Sequence, residues 1–518
     1  MRARDDAGGR VSRRLALFIF VYVILLFHIS GYIGNEMATT TLSVSMAVVE
    51  EGRLTIDSYI DGARELAYRD GHFYSGMPPG QAFIGVPLYF VLRPAISTAA
   101  ETIGPRIAGI EASHTYDLDK DFAVRRLLLL VAFTVLITIP CAAATCVMVV
   151  DLAERVGKRV GALGVLLLPL CTIWWSYGTE YGPRVMGGFM LLLPIWWVFV
   201  GRDGASERRH RVMAVACGAG LAMAPLIRYE MIFPVLVVGL WLVWKLRWRR
   251  SIVVVLAGLA VAGPGAAYHY ECFGSPTATA YSQKIWGAEK LEPMTGHSPE
   301  GLPIVMYEGR EHVIFDQSEW LALTFSTIPE ALWSHPESLL RFSPFLILLP
   351  WGTWLLLKTG GGREVALLSG GILAAVLLVL ALMPNAGIIG TIGPRYLLWA
   401  LPAMTLLTLS AWNRLPQALR WLLFAASFAP SYLAAMLTSH TRHAWSFWQL
   451  REFGLTNYTL SRMQEAGVIG SPMLSTAIVL VFWAIVAAIF LRSGSRWCIC
   501  GADADTGEMT EDSREGSA

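Results

Sequence analysis

The sequence predicts an all-α polytopic integral membrane protein, and three observations lead there. First, 55% of the 518 residues are hydrophobic and only 15% are charged, against roughly a quarter charged in a soluble globular chain. Mean hydropathy is accordingly +0.51. Second, the apolar residues come in runs of about 20, the length a helix needs to cross a bilayer core. Third, Lys and Arg collect in alternate connections between those runs, as the positive-inside rule requires. The near balance of 41 Lys and Arg against 39 Asp and Glu gives no reason to expect a nucleic-acid partner.

In chain order the runs fall near 15–34, 124–150, 160–177, 184–201, 212–228, 230–246, 251–270, 339–358, 365–383, 395–411, 417–437 and 473–492, which makes about twelve crossings. The first follows Arg10, Arg13 and Arg14 as a secretory signal would. It lacks a small-x-small cleavage site before Glu36 and reads as a retained anchor. The stretch 80–100, with Pro87, Arg93 and Pro94, is placed by charge. If it stays outside, five connections are cytoplasmic. They carry Arg155, Lys158 and Arg159; Arg202, Arg208, Arg209 and Arg211; Lys245, Arg247, Arg249 and Arg250; Lys358 and Arg363; and Arg414 and Arg420. If it crosses, all of these invert and the charge bias fails. The expectation is that 80–100 lies along or dips into the outer interface.

The resulting organisation has a cytoplasmic N-terminus at 1–14, one transmembrane domain at 15–492, and a cytoplasmic, acidic and disordered tail at 493–518. Both termini are expected in the cytoplasm, with the chain in the cell membrane. Three long external loops are expected, at 35–122, 271–338 and 438–471, and no internal repeat is present. Such loops commonly carry function. Of seven cysteines, four lie in apolar runs and only Cys272 in an external loop, so no disulfide framework is expected. Cys498 and Cys500 form a lone CxC, too short to define a metal motif.

Within the first external loop, Asn35 is a good N-cap and Gly52 a good helix stop, which predicts a short helix between them. Glu36 would sit in its first turn, where the helix dipole favours a carboxylate anion. A carboxylate at the outer membrane boundary is placed to serve as a general base, though a plain capping acid would look the same. The loop continues through Asp57 to the stretch YRDGHFYSGMPPG at 68–80. Its turn formers Asp70–Gly71 and Pro78–Pro79–Gly80 bracket His72, Tyr74 and Ser75. That mixture before an apolar segment suggests a binding surface at the lipid headgroups, with Asp57, His72 and Tyr74 as substrate-loop candidates.

Arg184, Arg228 and Arg395 break the charge rule. They lie in short external connections, in the contexts GTEYGPRV, PLIRYEM and GPRYLLW. An ionisable residue at the hydrocarbon edge marks a function or a partner. Glu180 and Glu230 offer Arg184 and Arg228 the plain alternative of a structural ion pair. Arg395 has no acid close in sequence, and Gly390, Gly393 and Pro394 before it suit close backbone approach to a ligand. A guanidinium binds phosphate in a bidentate fork at any relevant pH. His269 reads as a satisfied structural histidine, and the aromatic, basic stretch from Ser439 as an interfacial amphipathic helix.

The stretches NE at 35–36, GRLTIDSY at 52–59, DGHFYSGMPPG at 70–80 and VPLY at 86–89 resemble the N-terminal region of the GT-C superfamily. These are polyprenyl-phosphate-dependent glycosyltransferases such as protein O-mannosyltransferases and lipid A aminoarabinose transferases. YHYECFGSPTATAY at 268–281 and GTIGPRYLLWALP at 390–402 extend the resemblance over about 15–412. It implies a GT-C-like fold with interfacial helices in the first loop, a polyprenyl-phosphate sugar donor at the membrane lipid, and a protein, lipid or glycan acceptor. It implies Glu36 as the base on the acceptor, and strengthens Arg395, with Arg184 and Arg228, as ligands of the donor phosphate. Met77 stands where the family often has a basic residue, which removes one expected phosphate ligand. Some members use a divalent ion, but no carboxylate cluster here demands one. A secondary transporter, or a non-catalytic or ligase-type protein of cell-envelope glycan assembly, is the alternative. The scarcity of mid-helix charges and of repeats speaks against the transporter.

Overall fold

Apolar runs in a bilayer must satisfy every backbone N–H and C=O internally, so they close as helices. The computed structural model describes residues 2–30, 36–60, 63, 65–111, 120–156, 160–202, 205–286, 296–297, 303–307, 310–313, 323–383, 393–436, 444–465 and 467–497. Among them, eight helices are long and apolar enough to cross a membrane: Gly80–Thr102, Val124–Arg155, Pro183–Gly201, Glu207–Ile227, Trp248–Phe273, Arg363–Leu382, Gln417–Ala435 and Pro472–Arg492. The chain is a polytopic, predominantly helical membrane protein. The first anchor forms the helix Arg2–Phe27.

Four of the twelve expected crossings are shorter or broken, two of them at residues that disturb the helical ladder. The run at 160–177 folds as three turns, Ala162–Val165, Leu167–Leu170 and Trp174–Gly178. Pro169 contributes no N–H to the ladder. The hydroxyl of Thr172 also accepts the Trp174 N–H at 3.1 Å and so competes with the helical bond. The run at 339–358 is bent by 110° before Pro344. The run at 230–246 yields only Ile232–Lys245. That at 395–411 begins as a tight turn, Arg395–Trp399, before Leu401–Trp412.

The stretch expected to lie at the interface forms a single helix, Gly80–Glu111, whose Gly80–Thr102 portion is as long and apolar as the crossing helices. It packs beside Val124–Arg155. A Cβ on Gly85 would meet the Phe133 ring at 2.6 Å, and Tyr89 lies within electrostatic reach of Arg125. That order makes the two helices antiparallel.

Ion pairs gather at one end of the bundle. Arg14 Nε lies 3.0 Å from Asp151, Arg13 bonds Glu154, Lys245 Nζ lies 2.8 Å from Glu364, and Arg250 Nη2 lies 2.9 Å from Glu207. Trp196 Nε1 also donates to Asp151 at 2.8 Å, and Trp241 Nε1 to Glu364 at 2.9 Å. These residues come from the connections expected to share the cytoplasmic side. Following Pro183–Gly201, Glu207–Ile227 and Trp248–Phe273 to their other ends leads to Arg184, Arg228 and Cys272 together.

That opposite end also carries structure the helical expectation did not contain. Strands His72–Ser75, Glu65–Arg69 and Lys284–Trp286 form an antiparallel sheet in that order, with Ala67 opposite Tyr74 and Leu66 opposite Ile285. Asp70 at φ 52° and Gly71 at φ 88° make the tight hairpin turn, as the Asp–Gly pair predicts. The first and second of the loops expected to be external are therefore stitched together. A second small sheet joins Gly296–His297, Pro303–Tyr307 and Arg310–Val313. The expected short helix forms as Glu36–Glu50 and stops at Gly52 with φ 67°. Arg126, fully buried, donates from Nη2 to Ser43 Oγ at 2.7 Å and to the Tyr59 carbonyl at 2.6 Å. It thus pins this helix and the following turn to the top of Val124–Arg155. Cys498, Cys500 and the tail from residue 498 lie outside the described residues.

Candidate active site

Three chain breaks create the site. Pro183 opens the helix Pro183–Trp196 at its first position, which puts Arg184 in the first turn and buries it to 3% exposure. Free N–H groups at a helix start favour an anion nearby. Arg228 terminates Glu207–Ile227 in extended conformation (φ −154°, ψ 116°) and turns its side chain inward, also to 3% exposure. Gly393 takes φ 67° and, with Pro394, delivers the half-buried Arg395. A Cβ on Gly393 would also meet Ile173 at 2.9 Å, so the close approach requires glycine.

These three arginines come together. Arg184 lies within electrostatic reach of both Arg395 and Arg228. Its guanidinium sits 4.9 Å from the Tyr177 ring centroid, and those of Arg228 and Arg395 sit 5.8 Å and 5.6 Å from Tyr396. The aromatic faces disperse the positive charge at modest cost.

A carboxylate lies beside Arg228. Arg228 Nη1 donates to Tyr281 Oη at 3.1 Å, and Tyr281 Oη donates to Glu230 Oε1 at 3.1 Å. Tyr396 Oη donates to the same oxygen at 3.4 Å. Glu230 is 7% exposed, and no direct ion pair joins it to Arg228; the Tyr281 phenol stands between. Arg228 Nε and Glu230 Oε2 are both buried with no hydrogen-bond partner. Burial opposes the charge on Arg228, but Tyr281, Glu230, Tyr396 and Glu65 outweigh it and hold the guanidinium protonated. Burial likewise pushes the Tyr281 phenol well up, with Glu230 adding to it. The relay therefore keeps its protons at neutral pH.

The small sheet explains why Glu65 and Tyr281 are here. Glu65, 3% exposed, pairs with Trp286 across the sheet, and the pairing draws in the turn Ala280–Gln283 that carries Tyr281. Both acids lie within electrostatic reach of Arg228. Neither Glu65 nor Tyr281 stands out in the sequence as a site residue. Tyr281 ends the YHYECFGSPTATAY stretch, which is the one signal that could have found it.

The other candidates distribute as follows. Glu36 begins the helix Glu36–Glu50, and its side chain lies outside the described residues. Just before it in sequence, Ser30 N donates to the Thr179 carbonyl at 2.9 Å, which docks the end of the first anchor beside the loop leading to Arg184. Asp57 Oδ2 bonds His72 Nδ1 at 2.9 Å and Asp57 Oδ1 accepts the Phe73 N–H at 2.7 Å. This solvent-facing pair staples the hairpin to the preceding turn. Tyr74 is half-buried against Phe273, 5.9 Å between centroids, and burial raises its pKa. Met77 is 1% exposed in a turn closed by its own N–H on Ser75 Oγ at 3.1 Å. His269 is satisfied as expected, with Nδ1 2.6 Å from the Ala278 carbonyl and Nε2 3.4 Å from Tyr229 Oη. Among the described residues no group of three or more His, Cys, Asp or Glu side chains is arranged to hold a metal ion.

No family model matches the chain, and no curated protein matches it. Two solved structures are similar to it. The crystal structure of ArnT from Cupriavidus metallidurans bound to undecaprenyl phosphate has a TM-score of 0.45 at 13% identity, covering 95% of this chain and 75% of that one. The apo state of the same protein has a TM-score of 0.40 at 15% identity, covering 95% and 76%.

Proposed function

We propose that this chain is a membrane glycosyltransferase that moves a sugar from a polyprenyl-phosphate donor to an acceptor on the extracytoplasmic face. The observation that carries the reading is the convergence of Arg184, Arg228 and Arg395 at one end of the bundle, two of them buried. Buried like charges are costly without a counter-ion. Three guanidiniums at the membrane boundary suit a lipid-linked phosphate, whose chain stays in the bilayer while its headgroup enters the site.

In this reading Glu36 accepts the proton of an acceptor hydroxyl as its oxygen attacks the anomeric carbon. The bond from that carbon to the phosphate oxygen breaks, and the electron pair leaves on the phosphate. Arg395, Arg228 and Arg184 stabilise the charge that develops there, more effectively for being partly screened from water. A single displacement inverts the anomeric centre. With Met77 in place of the basic residue of the PPG turn, the positive field at the site comes, among the described residues, from these arginines.

Purified protein supplied with a labelled polyprenyl-phosphate sugar should release lipid phosphate as label moves to the acceptor. Accumulation of intact donor inside liposomes without release would mark a transporter and overturn the reading. A folded Glu36→Gln protein should lose transfer by about 100-fold or more. Undiminished turnover would remove Glu36 from the mechanism.

A further inference from the structure

We infer that Glu230 is the group that recognises the transferred sugar, accepting a hydrogen bond from a ring hydroxyl or amino group through its free oxygen, while Arg228 holds the phosphate. The inference rests on the glycosyltransferase reading and names a specificity-determining residue within it.

Glu230 is more than nine-tenths buried, yet only Oε1 is used inside the protein, taken by Tyr281 and Tyr396. Oε2 is buried and has no partner. A carboxylate can accept about four hydrogen bonds, so a buried oxygen without a donor is a costly vacancy in the protein alone. The obvious remedy, a direct ion pair with Arg228 two residues away, is not taken. Tyr281 Oη instead accepts from Arg228 and donates to Glu230, at 3.1 Å each. Arg228 correspondingly keeps Nε without a partner. The phenol thus stands between a cation and an anion held within about 6 Å of each other, each with one unsatisfied buried group.

A glycosyl phosphate has the matching polarity. Its phosphate oxygens accept from a guanidinium, and a hydroxyl near the anomeric carbon donates to a carboxylate. A bare phosphate matches only the first half, and Glu230 repels it. The pair therefore favours the sugar-bearing lipid and, after transfer, expels the product lipid phosphate.

The test uses full-length protein in nanodiscs and measures binding of bare polyprenyl phosphate and of its hexosyl, N-acetylhexosaminyl and pentosyl esters. At least one glycosylated lipid should bind wild type more tightly than the bare lipid. Glu230→Gln should cut that preference by about tenfold or more, the worth of a hydrogen bond to a charged acceptor, while bare lipid binds as well or better. Equal weakening of both lipids would assign Glu230 a structural role and overturn the inference, as would an unchanged preference. A second measurement needs no variant: among monodeoxy analogues of the preferred sugar, one should lose about tenfold on wild type, and uniform binding across the series would also overturn it. Failure of wild type to bind any of these lipids, bare or glycosylated, would instead remove the phosphate site, and with it the glycosyltransferase reading.

Discussion

Replacing Arg228 with Met tests whether the buried relay behaves as one electrostatic unit. The side chains are close in volume, so packing changes little and charge changes most. Arg228 and Glu230 are linked through Tyr281 by two 3.1 Å bonds, which holds the bridged atoms within about 6 Å of each other. At an effective dielectric of about 20, opposite charges at that distance attract by about 3 kcal/mol. Arg228→Met should therefore cost about 3 kcal/mol in stability, by leaving Glu230 buried beside a phenol that has lost its donor. Glu230→Gln alone should also destabilise, because Arg228 then lacks its counter-charge. The double variant should be less damaged than the sum of the two, with a coupling of about 2–3 kcal/mol. The assay is reversible denaturation in mixed micelles, followed by the near-ultraviolet signal of the buried tryptophans and analysed as a double-mutant cycle. Losses that add to within about 0.5 kcal/mol would show that the two charges do not sense each other, and would refute the relay.

Three other perturbations probe the parts that hold the site. Arg126→Met removes the bonds to Ser43 and the Tyr59 carbonyl; it should cost about 2–5 kcal/mol and expose the helix Glu36–Glu50 to limited proteolysis before the bundle unfolds. Gly393→Ala forces a Cβ onto a residue at φ 67° and against Ile173; it should cost about 1–2 kcal/mol from backbone strain alone, and lower bare-lipid binding by displacing Arg395. His72→Ala breaks a pair with Asp57 whose side chains are 56% and 38% exposed; it should change unfolding by less than about 1 kcal/mol and leave transfer near wild type, and a large loss of transfer would return His72 to the substrate site.

Much of this was legible in the sequence, and the boundary of legibility has a physical cause. Hydropathy found the long helices because hydrocarbon imposes the same length on every crossing. Its runs continue where the helix itself is interrupted by a local polar or proline residue that competes with the ladder, as at Pro169, Thr172 and Pro344. The charge bias found Arg184, Arg228 and Arg395 for a different reason: a cation on the sparsely charged side must be compensated by something in three dimensions. It could not say by what. The sequence neighbour Glu230 was visible as a partner of Arg228, but the mode of contact was not, since it depends on a tyrosine 51 positions away. Strand pairing of Glu65 with Trp286 is of the same kind. Both strands are short, and no periodicity over three to five residues predicts which distant segment they will meet.

The small sheet also bears on how such a site can be precise. Membrane helices are rigid over tens of ångströms, so arginines fixed at their ends are well placed but cannot adjust to a ligand's shape. Loops can adjust but are imprecise unless tied down. Here the tie is made twice: by Arg126 from the helical side, and by the antiparallel pairing of Glu65–Arg69 with Lys284–Trp286 from the loop side. Tyr281 and Glu65 thereby reach Arg228 at the end of its helix. The positive half of the site is built by the bundle, and the polar half that faces it is delivered mainly by the loops. A substitution in the sheet, far from any charge, should therefore disturb the Tyr281–Glu230 contact while leaving Arg184 and Arg395 in place.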